Sequence, residues 1–192
     1  MDKQIKDKRT AIMDAALKLF TERGFHGTTT AQISKDAGVA TGTLFNYFPT
    51  KEELINSLYF EVKGRLSSCI KKGIDPEASF ETKMRKLWSN TIQCGVSNPE
   101  EFHFIGQFGS SPYITKITRE EAMKEYEFIR ALVEEGFSNG RNKDYSMELA
   151  MMIFYHSSGA VVNLIINSGR LDDMNEIIEE GFQLLWRGLS PE

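Results

Sequence analysis

Leu54, Leu58, Val62, Leu66 and Ile70 recur at strict four-residue steps. Side chains four apart stack along one face of an α-helix, so this run describes a single long helix with one buried stripe. The same period returns along the chain. Phe80, Met84, Leu87, Trp88, Thr91 and Ile92 form a second stripe, and Met123, Tyr126, Ile129, Val133 and Phe137 a third. Ile177, Ile178, Gly181, Leu184, Leu185 and Gly188 form a last one. No segment sustains a two-residue apolar and polar alternation, so no sheet is expected. The stripes are interrupted at Gly24, Gly38, Pro49, Gly73 to Pro76, Asn98-Pro99, Ser110 to Pro112, Asn139-Gly140 and Gly169. Gly and Pro punctuate helices in this way, which predicts an all-α protein of about nine helices.

The chain has 192 residues, 41% hydrophobic and 26% charged, which excludes a disordered or membrane-embedded chain. Its net charge of −4 argues, taken whole, against a nucleic-acid partner. The average conceals a split. Residues 1–51 hold 8 Lys/Arg and 5 Asp/Glu, a net of +3, so the remainder carries −7. A basic head on an acidic body suits two separate tasks. The expected division is a basic head at 1–51 and a larger acidic helical body at 52–192.

Two isolated cysteines, Cys69 and Cys94, suggest reduced thiols and a cytoplasmic location. The charged N-terminus lacks a signal-peptide core. The most apolar run, Leu149 to Val162, is interrupted by His156, Ser157 and Ser158, and falls short of the ~20 apolar residues a membrane span needs. No membrane partner is expected; a buried or dimer-interface helix is.

Within the head, Ile12, Ala16 and Phe20 face one way on a first helix that ends at Arg23-Gly24-Phe25. Thr28, Thr29 and Thr30 offer caps for a short second helix whose Ile33 and Ala37 point inward. Gly38 can take the left-handed conformation that turns the chain. Thr41 offers a cap for a third helix, Leu44 and Phe48 face inward, and Pro49 stops it. Two short helices about a glycine turn make a helix-turn-helix, whose second helix enters the major groove of DNA.

The run Thr30-Ala-Gln-Ile-Ser-Lys-Asp-Ala-Gly-Val-Ala-Thr-Gly-Thr-Leu-Phe-Asn-Tyr-Phe-Pro-Thr-Lys-Glu-Glu-Leu54 resembles the DNA-binding signature of the TetR family of transcriptional regulators. The likeness extends from about Ala11 to Leu58, and the closing Gly181 to Leu189 segment is also similar. Phe45 stands where the family commonly has tyrosine. The resemblance implies a homodimer paired through its last two helices, a small effector bound in the body, and release from an operator, most often repression.

Thr30, at a helix N-terminus, suits a DNA phosphate, the role the resemblance also implies. Thr43, Tyr47 and Lys51 would hold phosphates too. Thr41, Gly42, Phe45 and Asn46 lie opposite Leu44 and Phe48 and are candidates to read base edges. Lys3, Lys6, Lys8 and Arg9 form either a basic arm on DNA or a solvated chain end.

The middle helices are rich in aromatics. Trp88, Phe104, Phe108, Phe128 and Tyr155, with Gln107, His156 and Asn163 as polar anchors, are candidates for a largely apolar effector pocket, against the alternative that they fill the core. Gly136-Phe-Ser-Asn-Gly140 matches the letters of a hydrolase elbow but lacks its preceding strand. His26, His103 and His156 lack metal-ligand spacing, and no nucleotide loop occurs. No catalytic residue, metal or cofactor is expected. The expected partners are a double-stranded DNA operator, a small effector and a second copy. A helical small-molecule carrier or a DNA-organising protein without gene-specific regulation is the alternative.

Overall fold

The computed structural model describes residues 2–138 and 146–189; the side chains of 2–7, 137, 138 and 189 lie outside that description. Ten helices, and no strand, occur among the described residues: α1 (Asp2–Gly27), α2 (Thr30–Asp36), α3 (Thr41–Tyr47), α4 (Lys51–Ile70), α5 (Phe80–Ser97), α6 (Pro99–Phe108), α7 (Lys116–Lys124), α8 (Glu127–Ser138), α9 (Met147–Ser168) and α10 (Met174–Leu189). The tenth helix corrects the expected count. Met123 and Ile129 do not share one helix, because the chain turns between Lys124 and Glu127. A turn of two residues hardly disturbs a four-residue spacing, so the stripe read straight through it. Ser67 donates its hydroxyl to the Glu125 carbonyl freed at that turn, at 2.6 Å. The expected Asn139-Gly140 break lies outside the described residues.

The helices form two packing units. One contains the chain up to Arg65 together with Pro99–Lys124, and the other Leu66–Asn98 together with the chain from Glu125. In the first unit α1 packs against α2, α3 and α6. Its core is the face of α1 carrying Ile12, Ala16, Leu19 and Phe20, closed by Ile33, Leu44, Phe48, Leu54 and Leu58, all at most 3% exposed. Phe108 of α6 meets Phe20 edge-on, with ring centroids 6.2 Å apart.

In the second unit α5 lies between α9, α10 and α8. The Trp88 indole donates to the Ile178 carbonyl at 2.8 Å, so its polar edge is satisfied inside the core. Gly181 is small for a reason: a Cβ there would stand 2.9 Å from Trp88. Gly136 likewise makes room for the Phe80 ring, which a Cβ would meet at 2.1 Å. Gly136 therefore belongs to the buried end of α8, which is helical through Ser138, where a hydrolase elbow would need a strand.

Cys69, in the last turn of α4, is joined by a disulfide to Cys94 of α5, with the two Cα atoms 6.2 Å apart. This corrects the expectation of two reduced thiols. Twenty-five residues separate the pair in sequence, and only the return of α5 along the end of α4 makes them neighbours. A second correction concerns α9. By length and composition this 22-residue helix is apolar enough to cross a membrane. His156 and the two serines that interrupt it do not offset the rest. Here Ala150, Ser158, Val162 and Ile165 are its buried face within the second unit, against α5 and α10.

Candidate nucleic-acid interface

The turn between α2 and α3 is built from backbone bonds. The Gly38 amide donates to the Lys35 carbonyl at 3.1 Å and the Val39 amide to the Ser34 carbonyl at 2.9 Å, with Gly38 at φ 66°. This double closure needs a left-handed residue after the helix, which glycine adopts without strain. At the other end Thr29 caps α2, its hydroxyl accepting the Gln32 amide at 3.1 Å. Thr28 instead faces back. Its buried hydroxyl is placed between the Leu19 and Gly24 carbonyls, at 2.9 and 2.8 Å, where α1 kinks at Gly24.

α3 has only seven residues, Thr-Gly-Thr-Leu-Phe-Asn-Tyr, and all but Leu44 are modest or poor helix formers. So short a helix is held by packing rather than by propensity. Leu44 is fully buried and Phe48 is 3% exposed, which fixes the helix by one side. Ala40 is its N-cap and supplies no side-chain hydrogen bond, which corrects the expected capping role of Thr41. Thr41 is the first helical residue, and its exposed side chain is left outside the capping bonds. With Leu44 and Phe48 inward, the opposite face presents Thr41, Gly42, Phe45 and Asn46, all exposed, Phe45 at 42%. Thr43 and Tyr47 are half-buried at the flanks.

Lys51 opens α4, capped by Thr50, whose hydroxyl accepts the Glu53 amide at 3.0 Å. The Lys51 ammonium sits over the Phe25 ring, 4.1 Å from its centroid. Partial burial there pushes its pKa below the ordinary lysine value, while the Glu52 carboxylate pulls the other way. Thr30 is the first residue of α2 and half-buried.

The expected basic arm is helical from Asp2 onward. Arg9 belongs to the fold instead: it pairs with Glu61 of α4 and lies over the Phe48 ring at 5.4 Å. Lys8 is exposed, and the side chains of Lys3 and Lys6 lie outside the described residues.

The body residues named from sequence divide between the units. Phe104 and Phe108, buried in the first unit, have ring centroids 5.0 Å apart, and Gln107 on the same helix is exposed. In the second unit Trp88 is buried and Phe128 half-buried, whereas Tyr155, His156 and Asn163 are exposed on α9. Trp88 lines a groove of about 420 Å³ with Ile153, Val161, Gly181, Leu184 and Leu185.

Sequence reasoning missed the residues that anchor the back of the head. Tyr113 stacks on Phe25 at 4.1 Å and shares a hydrogen bond with His26 at 2.7 Å. Asn56 of α4 holds the same loop through its amide, donating to the Tyr113 carbonyl at 2.8 Å and accepting the Thr115 amide at 2.9 Å. These partners are more than fifty residues apart, and no local spacing signals them.

A glycine-turned pair of short helices, the second with one buried and one largely polar exposed face, has the architecture of a helix-turn-helix DNA-binding module. Residues 12–58 match the family model described as "Bacterial regulatory proteins, tetR family". The chain is 32% identical over 152 residues to the HTH-type transcriptional repressor KstR2 of Rhodococcus jostii (strain RHA1), covering 74% of this chain and 72% of that protein. The chain belongs to the TetR family of transcriptional regulators. It is also 26% identical over 175 residues to the fatty acid metabolism regulator protein of Bacillus subtilis (strain 168), covering 88% of this chain and 90% of that one. The structure of FadR from Bacillus subtilis in complex with stearoyl-CoA superposes with a TM-score of 0.73 at 22% identity, over 92% of this chain and 96% of that chain.

Proposed function

We propose that the protein is a homodimeric repressor that binds a palindromic operator and leaves it when a small, largely apolar effector binds. The observation that carries this reading is the two-sided α3: buried Leu44 and Phe48 hold the helix, and Thr41, Gly42, Phe45 and Asn46 project from it. Asn46 has the amide that pairs with adenine, and the Thr41 methyl and the Phe45 ring suit a thymine methyl. Thr30, Thr43, Tyr47 and Lys51 surround that face and would bind phosphates, which fixes register rather than sequence. Phe45 lacks the hydroxyl common at its position, so it reads by apolar contact alone.

In this reading residues 1–51 read DNA and 52–192 dimerise and sense. One head makes few contacts, and two heads on a two-fold axis double them. The exposed apolar residues Leu149, Met152, Ile153 and Leu164 of α9, with Leu184 of α10 at 76% exposure, supply the surface a second copy would cover. Tyr155, His156 and Asn163 share the exposed side of α9 and would meet that copy. For the effector, Trp88 and Phe128 are the candidate contacts in the second unit, and Phe104, Gln107 and Phe108 are a separate candidate set in the first. The stearoyl-CoA held by the Bacillus FadR structure supports an apolar chain as the ligand type. A regulator of this kind meets its DNA in the cytoplasm.

Selection of bound sequences from random DNA tests the reading. A palindrome with half-sites about one helical turn apart, or slightly more, is expected. Recovery of no preferred sequence would overturn it.

A further inference from the structure

The Cys69–Cys94 pair has no part in the reading above. We propose that it is a reversible dithiol–disulfide couple, closed by hydroperoxides, that adjusts the DNA affinity of the regulator; the effect on DNA rests on the function proposed above.

Three observations carry the couple. First, the residues are held together independently of the S–S bond. Asn90 of α5, one turn before Cys94, is buried, and its amide donates to the carbonyls of Ile70 and Lys72 at 2.7 and 2.8 Å. That clamp joins the end of α4 to α5 through hydrogen bonds that do not involve the sulfurs. Second, the two sulfurs differ in access. Cys94 is 3% exposed, whereas Cys69 is half-buried at a helix end. Third, the connection that follows Cys69 carries several cations. Lys71 and Lys72 follow Cys69 and are exposed, and the Lys86 side chain reaches the turn at Gly73, with Asp75 and Glu77 as the acidic residues of the same connection. Access and cationic surroundings favour the reactive thiolate, and here they act against the negative end of the α4 dipole.

The chemistry balances with a hydroperoxide as oxidant. The Cys69 thiolate attacks the terminal peroxide oxygen. The O–O bond breaks, a sulfenic acid forms on Cys69, and the departing alkoxide takes up the thiol proton as an alcohol. The Cys94 sulfur, deprotonated, then attacks the Cys69 sulfur. The S–S bond forms, the S–O bond breaks, and hydroxide leaves with the Cys94 proton as water. Two electrons pass from the thiols to the peroxide, and a cytoplasmic dithiol returns them by exchange. The output follows from α4. It is one continuous helix with the DNA-facing Lys51 in its first turn and Cys69 in its last, about 30 Å long. Closing the disulfide adds a covalent tie at the far end of the helix that begins at the phosphate site.

The test uses the full chain, reduced with dithiothreitol and then treated with cumene hydroperoxide. Maleimide labelling read by mass should find two adducts on the unfolded reduced protein and none after peroxide, with the monomer mass preserved. Thiols that survive peroxide, or pair only between chains, would overturn the couple. On operator DNA recovered by selection, affinities of the two states should differ at least fivefold, the size of an ordinary allosteric coupling. Cys69→Ser should abolish the difference while binding DNA, and Cys94→Ser should agree with it where it folds. Affinities within twofold, with DNA binding intact, would refute the regulatory part. Failure to select any DNA in either state would instead refute the proposed function, and the labelling would still decide the couple.

Discussion

Lys63 lies on α4 with 9% of its surface exposed, and burial pushes its pKa from 10.5 down to about 8. That depression has a sign and a window. Below about pH 8 the lysine is charged in both folded and unfolded chains, and the native state bears the whole burial penalty. Between about 8 and 10.5 the folded lysine gives up its proton while the unfolded one keeps it, so the penalty fades as pH rises. At about 1.4 kcal/mol for each pH unit between those values, the penalty amounts to about 3 kcal/mol at neutral pH. Lys63→Met removes the charge and keeps most of the length. The assay is urea unfolding of both proteins from pH 7 to 10.5. The advantage of the variant should be largest at pH 7 and shrink by up to about 3 kcal/mol toward pH 10.5. Packing offsets from the substitution do not vary with pH, so the change in the difference isolates the lysine. A difference that stays flat across the range would refute the reasoning.

Lys51→Ala should weaken binding to all DNA sequences alike and lower the slope of log affinity against log salt by about 0.9 for each head. It should also cost about 0.5–1 kcal/mol of stability through the lost Phe25 contact, and Lys51→Arg should keep both. Salt titration and thermal melts read the two effects, and an unchanged slope would count against a phosphate role. Asn46→Ala should relax preference at a single half-site position in selection from random DNA, whereas a uniform loss would remove its base-reading role. Gly136→Ala gains about 1 kcal/mol of helix propensity but drives a Cβ to 2.1 Å from the Phe80 ring. Overpacking of about 1–3 kcal/mol should win, measured by urea midpoint, and added Phe80→Leu should restore part of it; a stabilised Gly136→Ala protein would contradict the packing described.

Local spacing carries far along this chain. The stripe of Leu54, Leu58 and Val62, the glycine turn at Gly38 and the stop at Pro49 each act within a few residues, so they were legible directly. The same holds for α3: once Leu44 and Phe48 are assigned inward, helical geometry alone turns Thr41, Gly42, Phe45 and Asn46 outward. The break between α7 and α8 was missed because two extra residues leave the apolar period nearly in step. Arg9 reads as one more charge of a basic tail, and only the tertiary fold brings Glu61 of α4 and Phe48 at the end of α3 to it.

The helical class, the helix-turn-helix and the face that α3 presents are readable from local patterning, because they depend on backbone preference and on side chains three or four positions apart. Tertiary structure alone decided which distant groups meet. It placed Cys69 beside Cys94, set Tyr113 on Phe25 and His26, and buried Lys63. These contacts arise from helices folding back across tens of residues, where the identity of a partner is set by packing and leaves no period in the chain to read.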